Sequence, residues 1–302
     1  MIQTKLSNNI EKHNLFSKNQ FDKVKIHSPF RYSGGKFYAL KHILPLIPKH
    51  THYVELLCGG ARVFFAKKKV DKNWLNDIDD ELINCYKIIR DRAEELSSVL
   101  KDEKASKERH TFYKNIFQPK DNFEKAQRWF YLNRTSFSGI MNMQNCYWGY
   151  GDKYSLNPSG WGERIFQCSN KLQDVKITRW DFEKVLDAVP DGAFVFVDPP
   201  YFASDQSKFY THSFIEKEHF RLERVLKRNS NRIKFLLTYD NSNEIKQLYS
   251  WAEIIKKKWT YTINRTDDQK NKDNIRKGKR STGNELFIMN YKANKETLLK
   301  ST

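Results

Sequence analysis

Segments with strand character alternate with helical segments along much of this chain. The apolar and β-branched runs predict strands over residues 52–57, 73–76, 175–180, 193–197, 233–239, 254–261 and 285–291. Helical patterns lie between several of them, at 62–69, 80–92, 216–229 and 243–248. Because two parallel strands need a long crossover, which is usually a helix, this alternation predicts an α/β fold around a doubly wound, mostly parallel sheet.

The alternation stops between residues 93 and 174. This stretch contains helical pieces at 94–101 and 123–133, followed by an aromatic, Gly/Asn-rich segment at 135–162. We interpret it as a mainly helical domain inserted between two parts of one catalytic domain, residues 29–92 and 175–292. In this division residues 1–28 are a polar N-terminal extension and residues 293–302 are a tail.

The chain carries a large excess of positive charge, with a formal net charge of +18 over 302 residues. Such an excess favours a polyanionic partner, with nucleic acid as the default. A membrane surface is the weaker alternative, because the sequence contains no long basic amphipathic helix. No apolar run is long enough to span a membrane, and residues 1–26 lack the apolar centre of a signal peptide. A cytoplasmic protein of a bacterium or phage is therefore expected.

The cysteines and histidines show no metal-binding pattern. Four cysteines lie far apart at positions 58, 85, 146 and 168, and the eight histidines include no helical ligand pair. Reduced thiols and no metal cofactor are therefore expected.

The most specific motif is Asp198-Pro199-Pro200-Tyr201, directly after the apolar strand 193–197. The amino group of adenine is a poor nucleophile because its lone pair is delocalised into the ring. An Asp oxygen and a backbone carbonyl held rigid by proline can accept hydrogen bonds from that amine and direct its lone pair at an incoming methyl group. Tyr201 can stack on the base and attract a methyl-sulfonium cation. The motif predicts a methyl-transfer site; the alternative is a turn that only ends the strand.

Two glycine turns flank the first predicted strand. Tyr32 and Lys36 bracket a Gly-Gly pair before it, and Glu55 and Gly59 lie in the strand and in the turn after it. Adjacent glycines permit close backbone approach to a ligand. The turn after the first strand is where nucleotide-like cofactors bind in doubly wound sheets. An ordinary turn is the alternative for the first glycine pair.

Two aspartates follow predicted strands. Asp77, at the tip of the second strand, is placed to accept hydrogen bonds from ribose hydroxyls, or else it is an acid at a helix N-terminus. Asp181, after the third strand, can accept from the amino group of a cofactor adenine or cap the helix that starts at Phe182. The sequence alone leaves both pairs of alternatives open.

Two further segments carry groups that suit DNA. The stretch 133–139 offers amide, guanidinium, phenyl and hydroxyl groups, on Asn133, Arg134, Phe137 and Ser138. Such groups can contact phosphates, read base edges or wedge into a base stack, and the alternative is an arginine that ties a loop to the core. The loop 265–280 has seven basic and three acidic residues, Lys277 and Arg280 among the basic ones. It suits phosphate contacts or is only solvated.

Taken in order, these fragments resemble the DNA adenine methyltransferase (Dam) family. They are "PFRYSGGK", "YVELLCGGARVFF", "LNDIDDELINCYKIIRD", "FYLNRTSFSGI", "WDF", "FVFVDPPYF" and "GNELFIMNY", over about residues 29–291. The resemblance implies a Rossmann-like methyltransferase sheet with an inserted target-recognition domain. It also implies S-adenosylmethionine as methyl donor and the exocyclic amino nitrogen of adenine in double-stranded DNA as acceptor. The target base would have to flip out of the helix to be reached.

The family's motifs also imply a role for each matching residue. The target amine would be held by the motif residues Asp198, Pro199, Pro200 and Tyr201. The cofactor would lie near Tyr32 and Lys36, with Glu55 and Gly59 at its methionine end, Asp77 at its ribose and Asp181 at its adenine. The DNA-contacting segment would comprise Asn133, Arg134, Phe137 and Ser138.

The chain departs from the family at two motifs. Its glycine turn reads "ELLCGGAR" where the family often has "EPFxGxGS", and "NRTSFSG" stands in place of "NRYGYNG". The recognised DNA sequence therefore does not follow from the resemblance. Two rival functions are an RNA adenine methyltransferase with the same motif and a DNA-binding relative without activity. A monomer is expected, and a cognate restriction nuclease is a candidate partner.

Overall fold

A seven-stranded sheet forms the centre of the protein. The structure is a computed structural model that describes residues 26–32, 34–152, 155–202, 211–212, 214–260 and 282–293. The strands are β1 (His52–Glu55), β2 (Lys72–Asn76), β3 (Val175–Thr178), β4 (Phe194–Val197), β5 (Lys234–Asp240), β6 (Glu253–Thr260) and β7 (Thr282–Met289). Their order is β3-β2-β1-β4-β5-β7-β6. Only β7 runs against its neighbours among these strands. The predicted doubly wound, mostly parallel sheet is confirmed.

Helices connect the strands and cover both faces of the sheet. They are α1 (Leu40–Ile43), α2 (Arg62–Ala66), α3 (Asp80–Asp91), α4 (Ala93–Leu100), α5 (Lys107–Asn115), α6 (Asn122–Thr135), α7 (Trp161–Leu172), α8 (Phe182–Ala188), α9 (Glu216–Asn229) and α10 (Asn243–Leu248). Single 3₁₀ turns lie at Leu44–Leu46, Phe137–Gly139 and Pro158–Gly160.

The chain order reverses between β1 and β4, which pair in parallel at the middle of the sheet. From β1 the chain proceeds outward through β2 and β3 on one side, and from β4 it proceeds to β5 on the other. The connections leave the two strands in opposite directions, so a crevice opens beyond their carboxyl ends. Glu55 ends β1 and Asp198 follows β4, so both lie at this crevice.

The side chains of the central strands alternate between two hydrophobic clusters, as the period of a strand requires. Tyr53 and Phe196 join one cluster, which also contains Trp129 of α6 and Trp161 of α7. Val54 and Val195 join the other, with residues of α8, α9 and α10. The helices of residues 93–174 therefore share a core with α3 and one face of the sheet. The division into a catalytic and an inserted domain stays a prediction.

The sequence patterns missed three of these helices. Helices α1, α5 and α7 were not predicted, and α7 starts inside the aromatic, Gly/Asn-rich segment 135–162. Gly160 and Gly162 obscure its start, although Trp161, Ile165 and Leu172 form a fully buried stripe. Helix α6 also extends to Thr135, two residues beyond the predicted end. Arg134 and Thr135 therefore belong to the helix and are buried.

Candidate active site

A cavity of about 270 Å³ lies at the crevice beyond β1 and β4. It brings together most of the residues predicted to act on a cofactor or a target base. These are Tyr32, Lys36, Glu55, Gly59, Asp77, Asp198, Pro199, Pro200 and Tyr201. The strand tips therefore place the proposed methyl-transfer motif and the glycine turn against one shared space.

The glycine turn after β1 is held by Asp77. Gly59 has φ +45°, and a Cβ there would lie 2.7 Å from the ring of Tyr32, so only glycine fits. The Gly59 amide donates to Asp77 Oδ2 at 2.8 Å, and the Asp79 amide donates to Asp77 Oδ1 at 3.1 Å. Burial raises the pKa of Asp77 to about 6. Asp77 lines the cavity while it fixes the backbone of the turn.

Glu55 is a buried carboxyl group at the tip of β1, 3% exposed. The Tyr53 hydroxyl and the Phe64 amide both donate to its Oε2 atom, each at 2.9 Å. Burial outweighs these bonds and raises the pKa of Glu55 to about 8. The group therefore favours its neutral form at neutral pH until a cation enters the cavity beside it.

Asp198 is fixed through one carboxylate oxygen. Its Oδ1 atom accepts from Lys36 Nζ at 2.7 Å and from Thr238 Oγ1 at 2.6 Å. Lys36 also donates to the Tyr201 hydroxyl at 3.0 Å and to the Gly34 carbonyl at 3.2 Å. Burial disfavours the ammonium group, but Asp198, Tyr201 and Glu285 outweigh it and raise the pKa of Lys36 well above its ordinary value. A permanent cation therefore holds the carboxylate and the tyrosine of the motif together.

The sequence patterns did not identify two residues next to Lys36 and Asp198, namely Thr238 and Glu285. Thr238 lies inside β5, and Glu285 lies inside β7. Glu285 belongs to the fragment "GNELFIMNY", where a carboxylate stands beside a run of apolar residues. A charged residue inside a buried strand was the available signal, because it needs a partner.

Asp181 lies apart from the residues that line the cavity. Its Oδ1 atom accepts from the Glu183 amide at 2.9 Å, which caps α8. Its Oδ2 atom is 2.6 Å from Arg221 Nη2. The geometry therefore matches the helix-cap alternative, and contact with a cofactor adenine stays a prediction.

Asn133 and Arg134 lie inside the protein, in the last turn of α6. Asn133 accepts from the Arg31 amide at 2.9 Å and donates to the carbonyls of Arg31 at 2.7 Å and Gly139 at 3.3 Å. Arg134 donates to the Pro29 carbonyl at 3.4 Å. Burial and the positive charges of three other arginines lower the pKa of Arg134 to about 9. These side chains tie a loop to the core, and their contact with DNA stays a prediction.

Phe137 instead lies at the surface, and Ser138 beside it is half-buried. Phe137 is 39% exposed, and Ser138 adopts a left-handed backbone conformation with φ +53°. The Phe137 amide donates to the Tyr147 carbonyl at 2.8 Å, so the segment is held while the phenyl ring remains accessible. Lys277 and Arg280 lie outside the described residues.

The described part of the chain contains neither a candidate metal site nor a candidate membrane span. No group of three or more His, Cys, Asp or Glu side chains among those residues is arranged to hold a metal ion. No helix there is long and apolar enough to cross a membrane.

The sheet order, the glycine turn and the Asp-Pro-Pro-Tyr strand tip together define a doubly wound methyltransferase. A family model described as D12 class N6 adenine-specific DNA methyltransferase matches residues 32–263, and the chain belongs to this family. The predicted resemblance is thereby confirmed, and the chain is classed as an adenine-specific DNA methyltransferase.

Three relatives with assigned names agree with this family. The Type II methyltransferase M1.LlaDCHI of Lactococcus lactis subsp. cremoris is 29% identical over 267 residues, which cover 82% of this chain and 92% of that protein. The Type II methyltransferase M.MjaIII of Methanocaldococcus jannaschii is 28% identical over 298 residues, 87% of this chain and 99% of that one. The DNA N-6-adenine-methyltransferase of Escherichia phage P1 is 28% identical over 236 residues, 74% of this chain and 31% of its own.

Proposed function

We propose that this protein transfers a methyl group from S-adenosylmethionine to the exocyclic amino nitrogen of adenine in double-stranded DNA, at the tip of β4. One observation carries the assignment of residues. Asp198 is fixed by Lys36 and Thr238 in the same cavity that the glycine turn lines. An acceptor for the target amine and a place for a nucleotide-like cofactor thus lie side by side.

The residues around the glycine turn fit S-adenosylmethionine. Gly59 and Gly60 have no side chains, so their backbone lines a space that side chains would otherwise fill. Glu55 suits the ammonium end of the cofactor, and Asp77 suits ribose hydroxyls; Tyr32 and Lys36 complete the wall. When bound, the cofactor supplies a methyl group on a sulfonium centre. Asp181 would contact the cofactor adenine only if it exchanged its bond with Arg221.

The catalytic residues act by holding the target amine. With Oδ1 engaged by Lys36 and Thr238, the other oxygen of Asp198 accepts a hydrogen bond from the amine. The backbone carbonyl beside Pro199 and Pro200 accepts the second, and the Tyr201 ring stacks on the base. Both acceptors are fixed before the base arrives, so positioning and preorganised charge supply most of the rate.

The target adenine must leave the double helix to reach this strand-tip cavity. Phe137 is exposed and Ser138 is half-buried, whereas the other residues of the 133–139 segment are buried, and we assign these two to direct DNA contact. Asn133 and Arg134 support that contact indirectly, because their side chains fix the main chain of Pro29, Arg31 and Gly139. The net charge of +18 supports phosphate binding, to which Lys277 and Arg280 would contribute.

The test is transfer of label from radioactive S-adenosylmethionine to genomic DNA that lacks adenine methylation. We expect label in adenine, lowered on the order of 10³-fold by Asp198→Ala because a charged acceptor at the reacting group is lost. An RNA substrate runs in parallel. Label only in RNA would support the RNA methyltransferase instead. The DNA must be diverse enough to contain every short recognition sequence. If the protein binds this DNA but labels neither DNA nor RNA, the result supports a non-catalytic DNA-binding relative.

Three further properties are proposals of the same kind. We propose a monomer in the cytoplasm of a bacterium or phage-infected cell. Since two relatives are named Type II methyltransferases, we also propose pairing with a cognate restriction nuclease. Light scattering of the purified protein tests the monomer.

A further inference from the structure

We propose that Glu285 is a positioning residue of the methyl-transfer site, which shares Lys36 with Asp198 and fixes the Tyr201 hydroxyl. The proposal rests on the proposed function. Glu285 is only 5% exposed, although the next four residues of β7 are all fully buried apolar side chains. A carboxylate in such a place is unfavourable unless other groups compensate its charge. Those groups are Lys36, which holds Asp198, and Tyr201 of the motif itself.

Tyr201 links Glu285 to Lys36. The Tyr201 hydroxyl accepts from Lys36 Nζ at 3.0 Å. Tyr201 and Glu285 are also close enough for each to shift the pKa of the other: the phenol lowers the pKa of Glu285, and the carboxylate raises the pKa of Tyr201. A phenol has one proton to donate and can accept at the same time, so Lys36 and Glu285 can act on the same hydroxyl.

Glu285 acts on Lys36 by charge and not by a hydrogen bond. Its Oε2 atom lies 3.9 Å from Lys36 Nζ and has no hydrogen-bond partner among the described residues. The three protons of Lys36 already point to Asp198, Tyr201 and Gly34. A second carboxylate at this distance draws the cation away from exclusive pairing with Asp198. Asp198 thereby keeps more of its negative charge for the target amine.

The surrounding charges decide when Glu285 carries its own charge. Asp240 of β5 and Lys257 of β6 lie opposite Glu285 in the sheet ladder. Burial, Asp198 and Asp240 raise the pKa of Glu285, and Lys36 and Tyr201 oppose them without cancelling the rise. Acidification therefore neutralises Glu285 at a higher pH than an ordinary glutamate and weakens its pull on Lys36.

The first experiment compares Glu285→Gln with wild-type protein in single-turnover methylation of DNA across pH. Gln keeps the shape and an oxygen that can accept from Tyr201, but it removes the charge. We expect roughly a tenfold lower rate at pH 8, an unchanged half-saturating concentration of the cofactor, and an acid limb displaced to lower pH. Glu253→Gln, an exposed position on the neighbouring β6, is the matched control and should behave like wild type.

The second experiment does not depend on activity. A double-mutant cycle of unfolding free energies combines Glu285→Gln with Lys36→Met, and it should give a clear favourable coupling between the two charges. Absence of coupling would overturn the proposal even if the protein methylated nothing. A wild-type rate and pH profile in Glu285→Gln would overturn it as well. Wild-type protein that leaves DNA unlabelled contradicts the proposed function instead, which separates the two failures.

Discussion

The strand-tip site and the end of α6 were both read from short polar motifs, but they differ in where the side chains point. At the strand tips, Lys36, Asp77 and Asp198 line one cavity. At the end of α6, Asn133 and Arg134 are buried, whereas Phe137, in the 3₁₀ turn that follows, is exposed. The carboxyl ends of the central parallel strands open onto a crevice, so the polar side chains that follow these strands lie in that crevice. The last residues of α6, up to Thr135, are all buried, and only the 3₁₀ turn that follows the helix brings Phe137 to the surface.

The largest expected effect is at the strand-tip site, where Glu55 makes the free energy of unfolding depend on pH. Below its ordinary pKa of 4.5 Glu55 is protonated in both the folded and the unfolded chain, and burial keeps it protonated in the folded state up to about 8. Between these values the folded state binds the extra proton, so the free energy of unfolding falls as pH rises. Glu55→Gln should remove up to about 1.4 kcal/mol of this fall per pH unit.

Urea unfolding at several pH values measures the Glu55 effect, with the exposed Glu94→Gln as control. A pH dependence equal to that of wild type would mean that Glu55 is ionised in the folded protein. Titration with S-adenosylhomocysteine adds a second reading, since an incoming ammonium group favours the ionised carboxylate and affinity should rise with pH.

On the α6 side, Asn133→Ala should destabilise the protein by about 2–4 kcal/mol. The change leaves the Arg31 amide and the carbonyls of Arg31 and Gly139 without this partner. Chemical denaturation measures the loss, and Asn115→Ala, exposed at the end of α5, should change stability by less than about 0.5 kcal/mol. If Asn133→Ala instead left stability unchanged and abolished DNA binding, Asn133 would be a residue that contacts DNA directly.

Phe137→Ala should do the reverse and weaken DNA binding with little effect on folding. A stacked or wedged aromatic ring contributes about 1–3 kcal/mol, which corresponds to a five- to 150-fold loss of affinity. Ile116→Ala, at a more exposed apolar position of the same region, is the control. Equal DNA affinities of the two variants in a fluorescence anisotropy titration would contradict the assignment.

The smallest effect separates the two interpretations of Asp181. Loss of a helix cap costs about 0.5–2 kcal/mol, so Asp181→Ala should lower stability by about 1 kcal/mol. If capping is its whole role, affinity for S-adenosylhomocysteine stays at the wild-type value in calorimetry. A tenfold weaker affinity would restore the contact with the cofactor adenine. Asp191→Ala, which removes an exposed partner of Arg232, controls for a lost surface ion pair.

The sequence predicted the sheet and the strand-tip residues because strand period, glycine turns and prolines act locally. It did not predict that Lys36 holds Asp198, since the two are far apart in the chain and a linear pattern contains no distances. The same reason hid Thr238 and Glu285. The burial of Asn133 and Arg134 was not predicted for a local reason: the predicted helix ended at 133, whereas α6 continues to Thr135 with both side chains buried.

The bond between Asn133 and Arg31 has a mechanical consequence. The main chain of Arg31 is fastened to the end of α6, and Lys36, five positions later, ends on Asp198. The two contacts are thus only five positions apart in the chain. We therefore expect a substitution that removes the contact between Asn133 and Arg31 to alter the contact between Lys36 and Asp198 as well.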